Sequence, residues 1–379
     1  FIKKIVTKKL KRTILQILPN LDYGGVERGT VEVANMLINE GFNSIVISGS
    51  GRLVPELLAG GSKHIELPVG KKSLLSFRLI PTLRKVFIEN KVDIVHARSR
   101  LPAWLSHLAL KKIQGPTKPC FVTTVHGPYS VNSYSKIMTK GDRIIAISNY
   151  IKNYIIENYP GVKKENITVI HRGVDRNIFT YGLQPTQEWS EKWYRDGVPS
   201  EKFLITLPAR ITRWKGQNDF IEIVAKLKKS GLNIHGLFVG GINVKKKRYL
   251  DKLQNTIDRL GMKDNFTFLG HRDDIEEIMA KSDIILSLAN IPEAFGRTAL
   301  EALSIGTPVI AYDHGGASEV LAKIFPEGKV APLDTDATVM LIKKFYASMP
   351  NVKKNNSFSL NEMLEKTLET YASLCYKRK

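Results

Sequence analysis

Short apolar runs alternate along the chain with longer segments in which apolar residues recur at helical spacing. In the first half the short runs occupy residues 13–18, 43–48, 93–96, 121–125 and 143–148. In the second half they occupy residues 203–207, 237–239, 265–269, 283–288 and 308–311. Continuous apolar runs of this length are typical of parallel strands that are covered by helices. The pattern therefore predicts an α/β protein in which strands and helices alternate.

Residues 176–201 interrupt this pattern with Pro, Gly, two Trp and charged residues that follow no period. A stretch of this kind predicts a connection between domains, and 379 residues are enough for two cores. We therefore predict a first domain over residues 1–180 and a second over residues 181–358. An amphipathic pattern at residues 360–368 predicts a terminal helix in the remaining segment, 359–379.

Candidate chemistry concentrates in residues 293–318, where a predicted helix connects two predicted strands. Glu293 stands just before this helix and Glu301 stands within it. The start of a helix offers free backbone N–H groups and a partial positive charge, so it can bind an anion. The N–H groups concerned belong to Gly296, Arg297 and Thr298. An anion between two carboxylates indicates a nucleotide sugar, whose phosphate binds the helix and whose hydroxyl groups donate to the carboxylates. The alternative is a solvated Glu and a capping Glu.

The loop after the first predicted strand contains adjacent glycines, Gly24 and Gly25, followed by a helical pattern from Val26. Two glycines at a strand-to-helix turn let a bulky anion approach the backbone, although glycines also serve a plain turn. The spacing is not the G-x-G-x-x-G of dinucleotide-binding enzymes, which argues against a dehydrogenase.

A second loop, after residues 203–207, places Arg210 and Lys215 ahead of a helical pattern that starts at Asp219. Negative charge develops on the diphosphate when a nucleotide sugar reacts, and Arg and Lys can neutralise it without a metal. The alternative is a pair of ordinary surface cations. No Asp-x-Asp follows a predicted strand, and Asp273 and Asp274 are interpreted as helix caps. We therefore predict that no metal and no other cofactor is required.

The net charge of +21 indicates an anionic partner, which could be nucleic acid, a membrane surface or a phosphorylated substrate. No nucleic-acid-binding motif is recognisable, so we predict an anionic membrane surface rather than nucleic acid. Cations alternate with apolar residues at 71–85, and the loop 129–136 combines polar and aromatic residues that suit a sugar. A solvated helix face and an ordinary loop are the alternatives for these two stretches.

The chain has only two cysteines, Cys120 and Cys375, which fits a reducing compartment and structural roles for both. No apolar run approaches the roughly 20 residues that span a bilayer, and residues 1–12 do not resemble a signal peptide. We predict a cytoplasmic protein that binds peripherally to the inner face of the cell membrane.

Several of these segments together resemble one family. The stretch from Glu293 to Glu301 is similar to the Glu-x7-Glu motif of retaining glycosyltransferases of family 4, which have the GT-B fold. Similar segments recur in the family's order across most of the chain, at residues 24–27, 124–127, 142–148, 170–175, 210–215 and 313–316. One departure is Arg172, which stands where the family has Asn before a glycine.

The resemblance implies two Rossmann-like domains whose parallel sheets face each other across a cleft, with the terminal helix returning to the first domain. It implies that the donor sugar is held by Glu293 and His126, the ribose by Glu301, and the diphosphate by Arg210 and Lys215. Further donor contacts are implied at Gly24, Gly25, Gly270, His271, Phe295, Gly296, Arg297 and Thr298, with His271 and Arg272 against the base. Catalytic roles are assigned to His126, Arg210, Lys215 and Glu293.

The activity implied is retaining transfer of a sugar from a nucleotide-diphosphate donor to a glycan or lipid-linked acceptor. The high positive charge suggests a lipid-carried acceptor such as a bacterial lipopolysaccharide precursor. Two other classes stay open: a nucleotide-sugar epimerase of the same fold, which needs no acceptor, and a non-enzymatic basic protein that binds membranes or nucleic acid.

Overall fold

A computed structural model of the chain describes residues 12–22, 24–242 and 247–376. The chain forms two compact units. The first contains the chain up to His171 together with the segment from Asn361 onward, and the second is Arg172–Leu360. The basic residues 1–11 of the sequence lie outside the described part. In the ranges given, no helix is long and apolar enough to cross a membrane.

The first unit is built on a seven-stranded parallel sheet with the order β3-β2-β1-β4-β5-β6-β7. Its strands are β1 Thr13–Ile17, β2 Asn43–Ser48, β3 Lys63–Glu66, β4 Val92–Ala97, β5 Cys120–Val125, β6 Arg143–Ala146 and β7 Ile167–Val169. Its helices are α1 Gly25–Asn39, α2 Val54–Ala59, α3 Leu79–Glu89, α4 Arg100–Lys111 and α5 Asn149–Asn158.

The second unit repeats this architecture with a six-stranded parallel sheet in the order β10-β9-β8-β11-β12-β13. Its helices and strands, in chain order, are α6 Gln187–Arg195, β8 Phe203–Pro208, α7 Gln217–Lys229, β9 Ile234–Val239, α8 Lys247–Arg259, β10 Phe266–Gly270, α9 Ile275–Lys281, β11 Ile284–Ser287, α10 Arg297–Ile305, β12 Val309–Tyr312, α11 Gly315–Ile324, β13 Lys329–Val330 and α12 Thr335–Ala347. The last helix of the chain, α13, is Leu360–Tyr376.

The α/β prediction is confirmed, because every apolar run interpreted as a strand forms a strand of one of the two sheets. In both sheets the strand order reverses direction beside the first strand of the unit, at β1–β4 and β8–β11. Loops at the carboxyl ends of the strands diverge at such a switch point, which is where ligands bind in open α/β sheets.

Residues 176–201 were predicted to connect two domains because they follow no period, and within them Gln187–Arg195 form the helix α6, which this pattern did not predict. Thr186 caps the helix by accepting a hydrogen bond from the backbone N–H of Trp189. Trp193 is buried and packs in a core cluster with Leu204 and Leu237 of the sheet, while Trp189 stacks on it at 5.0 Å between ring centroids. The helix therefore belongs to the core of the second unit.

The terminal helix is joined to the first sheet through a buried polar network. The Tyr371 hydroxyl lies 2.6 Å from Nδ1 of His96, whose Nε2 lies 2.6 Å from the Thr124 hydroxyl. Arg98 is also buried, and its Nε donates to Gln16 at 2.8 Å. Burial lowers the pKa of Arg98, and the neighbouring Tyr371 opposes that shift. His96 is therefore a structural residue in the core rather than part of an open site.

Candidate active site

A cavity of about 240 Å³ opens at the carboxyl ends of β8, β9 and β10 in the second unit. Five of the residues predicted to bind the donor line it together: Arg210, His271, Arg272, Thr298 and Glu301. Gly240 and Gly241 complete the polar side, and the apolar side is formed by Pro208, Ala209, Val239, Ile275 and Met279. Residues that are up to 93 positions apart in the sequence thus share one small cavity.

Backbone contacts hold the three strand-end loops together around this cavity. Gly240 donates to the carbonyl of Gly270 at 2.7 Å, and Ile211 donates to the carbonyl of Gly241 at 3.2 Å. A side chain at position 240 would place its Cβ 2.3 Å from the carbonyl oxygen of Ala209. Glycine is required there because the loops after β8 and β9 approach too closely for any other residue.

The loop that carries Arg210 and Lys215 ends at Gly216, which has a φ of +76° and is packed against the backbone of Leu288. Gln217, the first residue of α7, donates to the carbonyl of Arg210 at 3.0 Å and so fixes the two ends of the loop. The loop therefore runs from the buried strand β8 to the left-handed Gly216, where the helix α7 begins.

Lys215 and Glu293 form an ion pair in which the Lys215 ammonium donates to Oε1 of Glu293. Both side chains are mostly buried, with 20% and 14% of their surface exposed. The Lys215 ammonium also lies 4.4 Å from the centre of the Trp214 ring. The structure thus brings together two of the predicted catalytic residues, from positions that no local sequence signal connects.

Glu301 is paired in a similar way, because Nε of Arg297 donates to its Oε1 at 2.7 Å. Arg297 and Glu301 are four residues apart on α10, so they face the same side of the helix. Gly296 stands at the N-cap with a φ of +81° and has no side chain with which to cap the helix. Its Cβ would lie 2.5 Å from Cα of Ala317, so α11 packs directly against this turn.

The loop before α10 is fixed by its close contact with Gly316. Gly316 donates to the carbonyl of Glu293 at 2.7 Å, and the Cβ of a residue at 316 would lie 2.3 Å from Cα of Phe295. Phe295 itself is buried, and its ring packs edge-on against Phe358 at 5.7 Å between ring centroids. Phe295 therefore positions the loop through packing, which the sequence did not reveal.

The residues predicted to face the base have different environments. Gly270 ends β10 with a φ of +68°, and the exposed His271 ring lies 3.2 Å from Asp273. Arg272 lines the cavity, but its guanidinium donates to Asp274 at 2.7 and 2.6 Å and to Asp196 at 2.7 Å. The bond with Arg272 lowers the pKa of Asp274 to about 2.

The interpretation of Asp274 as a helix cap is therefore wrong. Asp274 occupies the N-cap position of α9, but its carboxylate makes no capping hydrogen bond and instead accepts from Arg272 and from Nε1 of Trp189. The competing cation and indole hold the carboxylate away from the helix. In the segment 170–175, Asp175 accepts from the backbone N–H of Asn177 in a turn, and a Cβ at Gly173 would lie 2.4 Å from the carbonyl oxygen of Ser359.

Three predicted residues belong to the first unit. Gly24 and Gly25 lie at the start of α1, beyond the carboxyl end of β1. His126 follows β5 directly, is half-buried, and its backbone N–H donates to the Tyr129 hydroxyl at 3.3 Å. All three lie beyond the carboxyl ends of strands in the sheet of the first unit.

A larger, open depression of about 950 Å³ lies along α8 and contains none of the predicted residues. Its lining mixes cationic, amide and hydroxyl side chains: Arg213, Asn218, Tyr249, Lys252, Asn255, Thr256, Asp258 and Arg259. This depression does not include the carboxyl ends of the strands, where ligands bind in open α/β sheets. The smaller cavity is therefore the better candidate for the site.

The chemistry available in the smaller cavity and its loops is that of an anion site with carboxylates. Arg210 and Lys215 supply positive charge, α10 supplies its N-terminal N–H groups, and Glu293 and Glu301 supply acceptors for hydroxyl groups. Across residues 12–22, 24–242 and 247–376, no group of three or more His, Cys, Asp or Glu side chains is arranged to hold a metal ion.

Comparisons with known proteins agree with this arrangement. Residues 23–177 match the family model described as Glycosyltransferase Family 4, and residues 191–359 match the model described as Glycosyl transferases group 1. The chain is 34% identical to a glycosyltransferase from Rickettsia africae ESF-5 of known structure, with 96% of this chain and 99% of that one covered and a TM-score of 0.85.

Two further relatives are more distant. The structure of Anabaena Alr3699/HepE in complex with UDP and glucose is 21% identical, with 95% of this chain and 99% of that one covered and a TM-score of 0.80. Mannosylfructose-phosphate synthase of Agrobacterium fabrum is 29% identical over 46% of this chain. The chain spans 38% of the length of that curated relative.

The two parallel sheets and their strand-end loops match the fold of GT-B glycosyltransferases. The chain belongs to the glycosyltransferases, as the Rickettsia relative shows, and its first half matches the family 4 model while its second half matches the group 1 model. The prediction that the protein is a glycosyltransferase enzyme is confirmed.

Proposed function

We propose that the protein transfers a sugar from a nucleotide-diphosphate donor to a glycan or lipid-linked acceptor, with retention of anomeric configuration. One observation carries the proposal: Arg210, Thr298 and Glu301 line a single strand-end cavity. A cation, a helix start and a carboxylate in one cavity match the diphosphate and ribose of such a donor.

In this mechanism the chain's own residues neutralise the leaving group. Negative charge develops on the diphosphate as the bond to the sugar breaks, and Arg210 and Lys215 stabilise it. The Lys215 ammonium would exchange part of its contact with Glu293 for a phosphate oxygen, which frees that carboxylate to accept from sugar hydroxyls. Glu301, oriented by Arg297, would accept from the ribose.

Residues of three further loops would contact the donor. His126 would contact the transferred sugar, Gly24 and Gly25 would lie near the diphosphate, and Gly270 and His271 would face the base. Uridine diphosphate donors are the first to test, because a protein of similar fold was crystallised with UDP and glucose. We propose that no metal is required, that the acceptor belongs to bacterial envelope polysaccharide synthesis, and that the protein acts peripherally at the inner face of the membrane.

The test is a turnover assay with the sugars of UDP, GDP and ADP, each with and without a detergent extract of bacterial envelope glycolipids. We expect release of the nucleoside diphosphate from one donor class only when acceptor is present, and an unchanged anomeric configuration by NMR. Arg210→Ala should abolish release, whereas Arg213→Ala, in the same loop but outside the cavity, should not.

Two results would contradict the proposal. Conversion of a donor into a different nucleotide sugar without acceptor would identify an epimerase instead. A product with inverted anomeric configuration would support sugar transfer but contradict the proposed retention.

A further inference from the structure

We propose that residues 71–88 of the first unit form a docking surface for an anionic lipid membrane. This lipid-docking surface goes beyond the transfer reaction, and it rests on the proposed function only in that a lipid-linked acceptor would lie at the same membrane.

The first observation is a cluster of apolar side chains in water. A short 3₁₀ helix, Leu74–Arg78, exposes 86% of Leu74, 62% of Leu75 and 41% of Phe77. Single exposed apolar residues are common in folded proteins, but three within four positions form a patch. Leaving these side chains in water costs free energy that burial in hydrocarbon would recover.

The second observation is that the cluster is held by a fixed element. Ser73 caps the 3₁₀ helix by accepting from the backbone N–H of Leu75, and the buried Ser76 donates to the carbonyl of Lys71. The next helix, α3, is anchored by Leu83 and Phe87, which are 0% and 1% exposed. The exposed side chains are therefore presented outward by a segment that is itself packed against the unit.

The third observation is the charge around the cluster. Residues 71–88 contain five cations, Lys71, Lys72, Arg78, Arg84 and Lys85, and no carboxylate, although the next residue, Glu89, pairs with Lys85 at 3.7 Å. All five are exposed. The α3 face that carries Arg84 and Lys85 also exposes 57% of Ile88, so the combination of cations and an apolar residue recurs along the helix.

This combination selects a lipid surface over other partners. Anionic headgroups attract each Lys or Arg near the surface by about 1 kcal/mol, and the acyl boundary accepts apolar side chains. A second copy of the chain would bring the same five cations against this patch, so charge opposes self-association. Nucleic acid would satisfy the cations but not Leu74, Leu75 and Phe77.

The experiment is co-sedimentation of the full chain with vesicles of phosphatidylcholine alone and of phosphatidylcholine mixed with phosphatidylglycerol. Two triple variants test the surface: Leu74→Ser with Leu75→Ser and Phe77→Ser, and Lys71→Gln with Lys72→Gln and Arg78→Gln. We expect binding to the anionic vesicles only, and a loss of about two orders of magnitude in affinity for the charge variant, from three cations at about 1 kcal/mol each. The apolar variant should lose binding too.

Matched controls come from exposed residues of the second unit. Lys343→Gln with Lys344→Gln and Lys353→Gln removes the same charge, and Met340→Ser with Met349→Ser removes exposed apolar surface. Both should leave binding unchanged. Equal losses in these controls would overturn the inference in favour of diffuse attraction by the net charge. An absence of vesicle binding would overturn it as well, as would conversion of a dimer into a monomer by the apolar variant.

The rise in thermal midpoint on adding nucleotide tests the proposed function separately from the lipid-docking surface. Variants that lose vesicle binding but keep the nucleotide-induced rise in thermal midpoint would support the surface independently of catalysis. If the unmodified chain responds to nucleotide but binds no anionic vesicles, the lipid-docking surface fails and the proposed function stands.

Discussion

At the scale of single residues, the most informative finding is that each predicted carboxylate is paired with a cation. Glu293 pairs with Lys215 across 78 positions of sequence, and Glu301 pairs with Arg297 across four. The second pair could have been predicted from its helical spacing. The first depends on how two loops meet in space, which no local pattern encodes.

The Lys215–Glu293 pair yields a direct prediction. Lys215→Gln keeps a donor for Glu293 but removes the positive charge, so the departing diphosphate loses a stabilising group. We expect kcat/KM to fall by about 10²–10³ with little change in thermal stability. Initial rates of nucleotide release measure this, with Arg213→Ala as the control; a Lys215→Gln variant with normal rates would remove Lys215 from the mechanism.

A second prediction concerns pH and His235 of β9, which is 3% exposed. Burial, assisted by Lys202, lowers the pKa of this imidazole to about 4, so the folded state disfavours its protonation. The unfolded state binds the proton near pH 6.5, and stability from this residue is therefore lost as the pH falls from about 6.5 toward 4. Above pH 6.5 the residue contributes no pH dependence.

The measurement is the thermal midpoint of the second unit at pH 7 and pH 5, in the unmodified chain and in His235→Asn. We expect a smaller difference between the two pH values in the variant. An equal or larger difference would show that His235 is not responsible for the acid sensitivity.

At the scale of elements, the sequence predicted the strands better than their connections. Buried strands such as β8 and β11 are continuous apolar runs, so their pattern is unambiguous. The strands β3 and β7 are short and only partly buried, because β3 has a charged residue at each end and β7 has three residues. The helix α6 was missed although Thr186 is a typical N-cap, because its few apolar residues are concentrated in two tryptophans.

Glycine-dependent turns hold the strand-end loops, and Gly296→Ala tests this. The new Cβ would lie 2.5 Å from Cα of Ala317 at a φ of +81°, so both contact and backbone conformation are unfavourable. We expect a loss of about 2–3 kcal/mol in unfolding free energy of the second unit, together with loss of nucleotide binding.

The matched control is Gly241→Ala. Its Cβ would meet only Cβ of His271, at an ordinary 3.5 Å. Chemical denaturation of both variants provides the comparison. Equal stability of the two variants would argue that the turn at Gly296 is not constrained.

At the scale of the whole molecule, the chain crosses from the first unit to the second and contributes its last helix to the first. A sequence pattern can predict that helix, but the residues that bind it are distant: Tyr371 contacts His96 across 275 positions. The cavity lined by Arg210 and Glu301 is similarly a property of the folded sheet, since its lining comes from the segments that follow β8, β9, β10 and β11.

Tyr371→Phe tests how the terminal helix is held. The substitution leaves the buried His96 and Arg98 without the Tyr371 hydroxyl, which should cost about 1–3 kcal/mol. Hydrogen exchange should accelerate in β4 and β5 and stay unchanged in β8 and β9. Tyr181→Phe, which removes a bond to the carbonyl of Val352 in the second unit, should give the opposite pattern; acceleration in the same strands by both variants would contradict the assignment.

Thermal unfolding tests most directly whether a nucleoside diphosphate binds the cavity lined by Arg210 and Glu301. A ligand that binds only the folded state raises the midpoint with its concentration. We predict that one of UDP, GDP and ADP does so without Mg²⁺, and that Arg210→Ala and Glu301→Ala each abolish the rise. A midpoint that none of the three nucleotides raises, or a rise that survives both substitutions, would show that the cavity does not bind the nucleotide of the donor.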